Sequence, residues 1–164
     1  MDYSRNINDN IGVYLKYDYL MFPINLNIVP KIAVGGDMFY SKSNYHVSLL
    51  CLENVPKKDQ IKILNFAQKC SLKLGKTTNT FKLAAENDQK TIVVRVGFSG
   101  LKWLISGINK RLSYHFRYPP THITLFTLKG QTGIGIDTFI KYRQICSQIS
   151  PSDVKRLIKS FKLV

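Results

Sequence analysis

Apolar and polar residues alternate along several stretches of the chain, and this period of two predicts β-strands. The clearest stretches are residues 11–20, 44–52 and 121–128. Residues 80–85 and 90–98 alternate in the same way around a polar turn, which predicts a β-hairpin. Between the first two stretches, residues 21–43 are interrupted by two prolines and by Gly35-Gly36, so we predict a long loop, which is either a lid over a substrate or an ordinary surface loop.

Two other stretches carry apolar residues at the three-to-four-residue spacing of an amphipathic helix. One begins near Pro56 and the other covers residues 101–112. Residues 137–164 are predicted to be helical, with Asp137 at the start of one helix that extends through Ile149. Ser150 followed by Pro151 predicts the N-terminus of a last helix. Strands and helices in this order predict an α+β fold in a single domain over residues 1–164.

Two of the strands contain the same short motif of histidine, apolar residue and hydroxyl residue. The first is His46-Val47-Ser48 and the second is His122-Ile123-Thr124. Because residues i and i+2 of a strand point to the same face, each motif places an imidazole beside a hydroxyl. Two such faces brought together supply two proton-transfer groups and two hydrogen-bond donors around one anion. This set of groups is suited to cleavage of a phosphodiester without a metal.

The charge of the chain favours an anionic partner. Lysine and arginine number 24 against 10 acidic residues, a formal net charge of +14. Such a surplus is typical of proteins that bind nucleic acid or anionic membranes, and the paired motifs favour nucleic acid. The three cysteines form no C-x-x-C pair, and no apolar run has transmembrane length, so we expect a cytoplasmic protein without membrane contact.

The paired motifs resemble those of the two-histidine (2H) phosphoesterase superfamily, and most closely its 2′-5′ RNA ligase-like (LigT-like) branch of cyclic phosphodiesterases. The resemblance covers roughly residues 11–130. It includes Glu53-Asn54-Val55-Pro56 after the first motif and Tyr118-Pro119-Pro120 before the second. Ser48 occupies a position where that family more often has threonine, which keeps a hydroxyl donor. The segment after Lys129 is less typical of the family.

The resemblance implies a bilobal fold, in which two antiparallel sheets line a central cleft and the helices lie outside. It also implies a hydrolase that cleaves 2′,3′-cyclic phosphates or 2′-5′ phosphodiester bonds in RNA or oligonucleotides, with His46 and His122 as acid and base and with Ser48 and Thr124 as donors. No cofactor or metal is expected, and we expect a monomer. A cyclic di- or oligonucleotide signal is an alternative substrate, and a catalytically silent RNA-binding module is an alternative function.

The predicted substrate-binding residues lie next to the motifs or between the predicted elements. They are aromatic residues that could stack a base and basic residues that could contact a phosphate: Tyr45, Phe126, Phe39, Lys42, Arg117 and Lys129.

Overall fold

The computed structural model describes residues 12–130 and 132–164. This part of the chain forms an α+β fold. Its strands are β1 (Tyr14–Lys16), β2 (Tyr19–Ile24), β3 (Leu26–Ile28), β4 (Lys31–Val34), β5 (Asp37–Ser41), β6 (Tyr45–Cys51), β7 (Lys73–Glu86), β8 (Gln89–Ser99), β9 (His122–Leu128), β10 (Cys146–Gln148) and β11 (Phe161–Leu163). Its helices are α1 (Lys57–Gln68), α2 (Leu101–Leu112), α3 (Phe139–Ile145) and α4 (Pro151–Ser160).

Nine of the described strands form one sheet and the other two form a separate ribbon. The main sheet has the order β1-β2-β6-β9-β8-β7-β10, with the β4-β5 hairpin joined to it through β9, and β3 pairs with β11. All the pairs are antiparallel. The expected α+β class with antiparallel sheets is therefore confirmed.

Strand β9 has three partners, and this determines where the two motifs meet. Strand β8 pairs along one edge of β9, from His122 to Thr127. On the other edge β6 pairs only at Ile123, and β5 pairs further along, from Phe126 to Leu128. Strands β6 and β5 thus share one edge, and residues 42–44, which connect them, lie where one partner replaces the other.

The main core lies on one face of the sheet, under helices α1 and α2. Ile63 of α1 and Leu104 of α2 are fully buried in the same core as Ile123 and Leu125 of β9. Burying a side chain of this size stabilises the fold by about 1.5–3 kcal/mol. Because neighbouring residues of a strand point to opposite faces, this packing leaves the histidine and hydroxyl of the second motif on the other face.

The prediction of a long loop over residues 21–43 is wrong. This segment contains most of β2 and all of β3, β4 and β5. Pro23 lies within β2 beyond the last residue that pairs with β1, so its missing N–H faces an unpaired edge. Gly35 and Gly36 have φ values of +57° and +85° and form the two-residue turn of the β4-β5 hairpin, which requires positive φ at both positions.

Two other predicted boundaries are also wrong. The strand predicted over residues 11–20 is divided by a turn at Tyr17 and Asp18, which both have positive φ; Ile11 lies outside the described residues. The helix predicted to extend through Ile149 ends at Ile145, because the next residues pair with β7 as β10.

The N-terminal caps of the last two helices can be compared directly with the sequence. Thr138 caps α3 instead of Asp137, and its hydroxyl accepts the Lys141 N–H at 3.1 Å. The cap predicted at Ser150 is confirmed, since its hydroxyl accepts the Asp153 N–H at 3.2 Å and Pro151 is the first residue of α4.

Candidate active site

The two motifs lie on neighbouring strands of the main sheet. Val47 of β6 pairs directly with Ile123 of β9. Extending this register by one residue places His46 opposite Thr124 and Ser48 opposite His122. The two imidazoles then lie on a diagonal, a relation for which antiparallel strands give a Cα separation of about 7–8 Å. The four motif residues therefore share one patch on the sheet face that lies away from α1 and α2.

His122 is held in one orientation by the backbone that precedes it. Its Nδ1 lies 2.8 Å from the carbonyl oxygen of Pro120, so the Nδ1–H donates to that oxygen and, in the neutral ring, Nε2 carries the lone pair. The side chain is only 7% exposed. Burial lowers the pKa of His122; the Pro120 carbonyl and the charge of Asp137 oppose this, whereas Arg95 and Lys42 add to it.

His46 is also held in its neutral form. Burial is the main cause that lowers its pKa to about 4, and the charges of Lys42, His122 and Lys16 lower it further. The effect of His122 on the pKa of His46 agrees with their placement on one patch. A pair of neutral imidazoles can accept protons at pH 7, and a bound anion would favour the protonated form that a proton donor needs.

Lys42 places a cation beside the motif residues. A Cβ built at Gly133 would lie 3.6 Å from Lys42 Nζ and 3.5 Å from Thr124 Oγ1, so the ammonium and the hydroxyl line the same small space. The backbone N–H of Lys42 donates to the Tyr45 hydroxyl at 2.8 Å, which fixes the turn between β5 and β6. Burial lowers the pKa of Lys42, with a smaller contribution from Lys16. No ion pair to a carboxylate forms at Lys42 within the described residues.

Gly133 keeps this space open. The sequence pattern Gly133-Ile134-Gly135 lies beside the site, and Ile134 and Ile136 are buried in a small second core with Ala84, Val93 and Tyr142. The segment is thus anchored by its isoleucines while Gly133 faces Thr124. Any side chain at Gly133 would occupy the volume between the Thr124 hydroxyl and the Lys42 ammonium.

Several contacts around the motif residues were not predicted from the sequence. Arg95 is the cross-strand partner of His122; its Nε donates to the Thr121 carbonyl at 3.0 Å. Its guanidinium also lies over the rings of two residues of α3. Asp137 accepts a hydrogen bond from the Tyr19 hydroxyl at 3.2 Å and acts electrostatically on His122. These contacts join residues far apart in the chain, and no local pattern signals them.

The predicted substrate-binding residues divide into three pairs. Lys42 lies at the motif residues, and Tyr45 is half-buried with its hydroxyl on the Lys42 N–H. Phe39 and Phe126 are 0% exposed in the main core and present no surface to a base. Phe126 leaves the face of His122 and Thr124 because the pairing of β9 with β8 shifts register between Thr124 and Phe126, which interrupts the alternation of side chains. Arg117 and Lys129 are exposed in loops, and no hydrogen bond or ion pair in the described part of the chain joins them to the motif residues.

Comparisons with protein-family models, with curated proteins and with solved structures return no match for this chain.

Within residues 12–130 and 132–164, no three His, Cys, Asp or Glu side chains are grouped so that they could hold a metal ion. In the same residues, no helix has both the length and the apolar character needed to cross a membrane.

Proposed function

We propose that this protein is a phosphodiesterase of the two-histidine type, which hydrolyses 2′,3′-cyclic phosphates or 2′-5′ phosphodiester bonds in RNA or oligonucleotides. The observation that carries the proposal is the pairing of Val47 with Ile123, because this single pair brings two imidazoles and two hydroxyls onto one patch. The ammonium of Lys42, which forms no ion pair within residues 12–130 and 132–164, lies next to Thr124 and supports an anionic ligand at that patch.

In the proposed reaction, His46 accepts a proton from water while the water oxygen attacks phosphorus. The bond from phosphorus to a ribose oxygen breaks, and protonated His122 delivers its Nε2 proton to that oxygen. We assign the acid to His122 because the Pro120 carbonyl and Asp137 both favour its protonated form. Ser48, Thr124 and Lys42 donate to the nonbridging oxygens, where negative charge increases in the transition state.

The proposal includes a two-lobed arrangement. One lobe would contain β1, β2 and β6, and the other β7 to β10. The two meet through the single β6-β9 pair, so the patch lies at their junction. We also propose that the protein acts as a monomer in the cytoplasm; its three cysteines are free, as expected in a reducing compartment.

The direct test is a panel of substrates assayed with EDTA present. We expect turnover of 2′,3′-cyclic nucleotides or 2′-5′ oligoadenylates, with cyclic dinucleotides and 3′-5′ RNA as comparison substrates. Activity that disappears in EDTA and returns with a divalent ion would refute the paired-histidine mechanism. Turnover of cyclic dinucleotides alone would keep the mechanism and replace the substrate.

The pH dependence should report the lowered histidine pKa values. The reaction needs one neutral and one protonated imidazole, and the pKa of His46 is about 4 while that of His122 also lies below its usual value. At pH 7 most free protein has both rings neutral, so kcat/KM should rise as the pH falls below 7 and decrease again near pH 4. A bound anion raises the pKa of both histidines, so the kcat profile should lie at higher pH than the kcat/KM profile. A kcat/KM that increases steadily up to pH 9 would contradict this assignment.

Changing Lys42 to glutamine should raise KM and also move the pH profile. Loss of a charged donor to the substrate anion should raise KM about 10- to 100-fold. The positive charge of Lys42 lowers the pKa of His46, so its removal should raise that pKa and shift the acidic limb of the kcat/KM profile to higher pH. Lys155→Gln is the matched control, because it removes one exposed lysine of α4, which is not among the predicted substrate-binding residues. Equal effects of the two changes would exclude a specific contact at Lys42.

A further inference from the structure

Helices α1 and α2 carry an exposed row of stacked side chains on the outer surface of the protein. Trp103 is 63% exposed, and its ring stacks on Phe66 with centroids 5.7 Å apart and 27° between the planes. The guanidinium of Arg111 lies 4.3 Å from the centroid of the same Phe66 ring. We call the row formed by Trp103, Phe66 and Arg111 the outer shelf.

The outer shelf depends on a glycine in α2. Trp103, Gly107 and Arg111 follow each other at intervals of four residues, so they form one stripe of the helix. A Cβ built at Gly107 would lie 2.6 Å from Cζ of Phe66, which means that the ring rests directly on the helix backbone. Phe66 can lie flat between Trp103 and Arg111 only because position 107 has no side chain.

A cavity of about 170 Å³ opens beside the outer shelf. It is lined by Lys62, Phe66, Ile108, Arg111 and Leu112, so an apolar floor is bordered by two cations. A flat ring can enter such a space while an attached anionic group contacts Lys62 or Arg111. A nucleotide combines both features.

The charge of the two helices is strongly unbalanced. Their only acidic residue is Asp59, and both of its oxygens are bonded, one to Lys62 Nζ at 2.8 Å and one to the Tyr114 hydroxyl at 3.0 Å. Their basic residues are Lys57, Lys58, Lys62, Lys102, Lys110 and Arg111. This surface would repel a second copy of itself, and it complements a polyanion.

We propose that the outer shelf is a docking surface for single-stranded RNA, with a base stacked on Trp103 and phosphates on Arg111, Lys62 and the neighbouring lysines. Stacking on exposed aromatic rings between cations is the usual way in which proteins hold single strands without regard to sequence. An acidic peptide would complement the charge, but it has no bases that would stack on the exposed rings.

The location of the outer shelf gives it a role distinct from that of the motif residues. Helices α1 and α2 pack on the face of the sheet that carries Ile123 and Leu125, whereas His122 and Thr124 face the other way. A mononucleotide bound at the motif residues therefore cannot reach the shelf, and only a longer strand could contact both. The docking surface does not require the proposed catalytic function.

The single tryptophan of the chain provides a direct measurement. In a protein with His46→Ala and His122→Ala, in which the proposed cleavage is strongly slowed, an unlabelled single-stranded oligonucleotide should quench the fluorescence of Trp103 as a base stacks on it. Inorganic polyphosphate and poly-glutamate, which carry charge without bases, should leave that fluorescence largely unchanged. Quenching by poly-glutamate to the same extent, at equal or higher affinity, would overturn the proposal in favour of an acidic protein partner.

Variants in the same background separate stacking from charge. Trp103→Ala should weaken binding of a labelled single strand about 5- to 100-fold, measured by fluorescence anisotropy. Arg111→Gln should lower the slope of log affinity against log salt by about 0.7. Lys155→Gln, on α4 and away from both helices, is the charge control. It should change the affinity for the single strand and the salt slope only by the small amount expected from one unit of net charge.

Gly107→Ala tests the geometry of the outer shelf without changing its charge. The added methyl group should displace Phe66 and weaken binding of the single strand, and circular dichroism would verify that the helices persist. Unchanged affinity in folded Trp103→Ala overturns the proposal even where Gly107→Ala fails to fold. Because binding is read in protein without the two histidines, this result does not depend on whether the proposed hydrolysis is correct.

Discussion

Replacing His46 or His122 with alanine should each lower turnover by about 10²- to 10⁴-fold, the size of a lost general acid or base. The double variant should be little worse than either single one, because both groups act in the same transition state. The measurement is kcat and kcat/KM on a 2′,3′-cyclic nucleotide with EDTA present. The chain provides its own control in His115→Ala, since His115 is exposed and lacks a hydroxyl two residues later.

A substrate with a nitrophenolate leaving group should distinguish the two histidines. Such a group departs without being protonated, so the general acid becomes dispensable while the general base does not. The His122→Ala variant should therefore recover much of its activity on a nitrophenyl phosphodiester, whereas the His46→Ala variant should not. Recovery in the His46 variant alone would reverse the two roles, and additive losses in the double variant would show that the histidines do not share a step.

Replacing Thr124 with valine should lower kcat by about 10²- to 10³-fold, with a much smaller change in KM. Valine keeps the shape of threonine and removes the hydroxyl that we expect to donate to a nonbridging oxygen. Ser48→Ala should have an effect of the same order, because Ser48 lies opposite His122 in the same patch. The measurement is steady-state kinetics on the small cyclic substrate, which does not reach the outer shelf.

Conservative variants provide the control for this second prediction. Thr124→Ser and Ser48→Thr both retain a hydroxyl and should keep most of the activity. Thr80→Ala, on an exposed part of β7, should have no effect. A Thr124→Val protein with normal kcat would show that the hydroxyl makes no contact in the transition state, and the role of the second motif would then be limited to His122.

The sequence predicted the motif strands and the two central helices because each follows a simple periodicity. Alternation identified β6 and β9, and the three-to-four-residue apolar spacing identified α1 and α2. The same rule fails over residues 21–43, where prolines and paired glycines predict a loop and the structure has strands. Pro23 is tolerated there because it faces an unpaired edge, and Gly35-Gly36 is the turn itself, and both facts depend on which strands lie beside them.

The chemistry of the candidate site likewise depends partly on the sequence and partly on the tertiary structure. The sequence alone determined the residue types: two histidines, each with a hydroxyl two positions later, in a basic chain. Residue type alone implies the ordinary pKa of an imidazole, whereas burial and the charge of Lys42 lower the pKa of His46 to about 4. The sequence also suggested Phe39 and Phe126 as base contacts, which the tertiary structure instead places in the core.

Local patterns record which way a side chain points along its own strand, and that is why the sequence determined the two faces of β6 and β9. They do not record which strand lies alongside. Only the tertiary structure placed Val47 against Ile123, brought Lys42 and Gly133 to Thr124, and set Arg95 beside His122. Such contacts join segments distant in the chain, and their stability comes from burial and backbone pairing that no short stretch of residues contains.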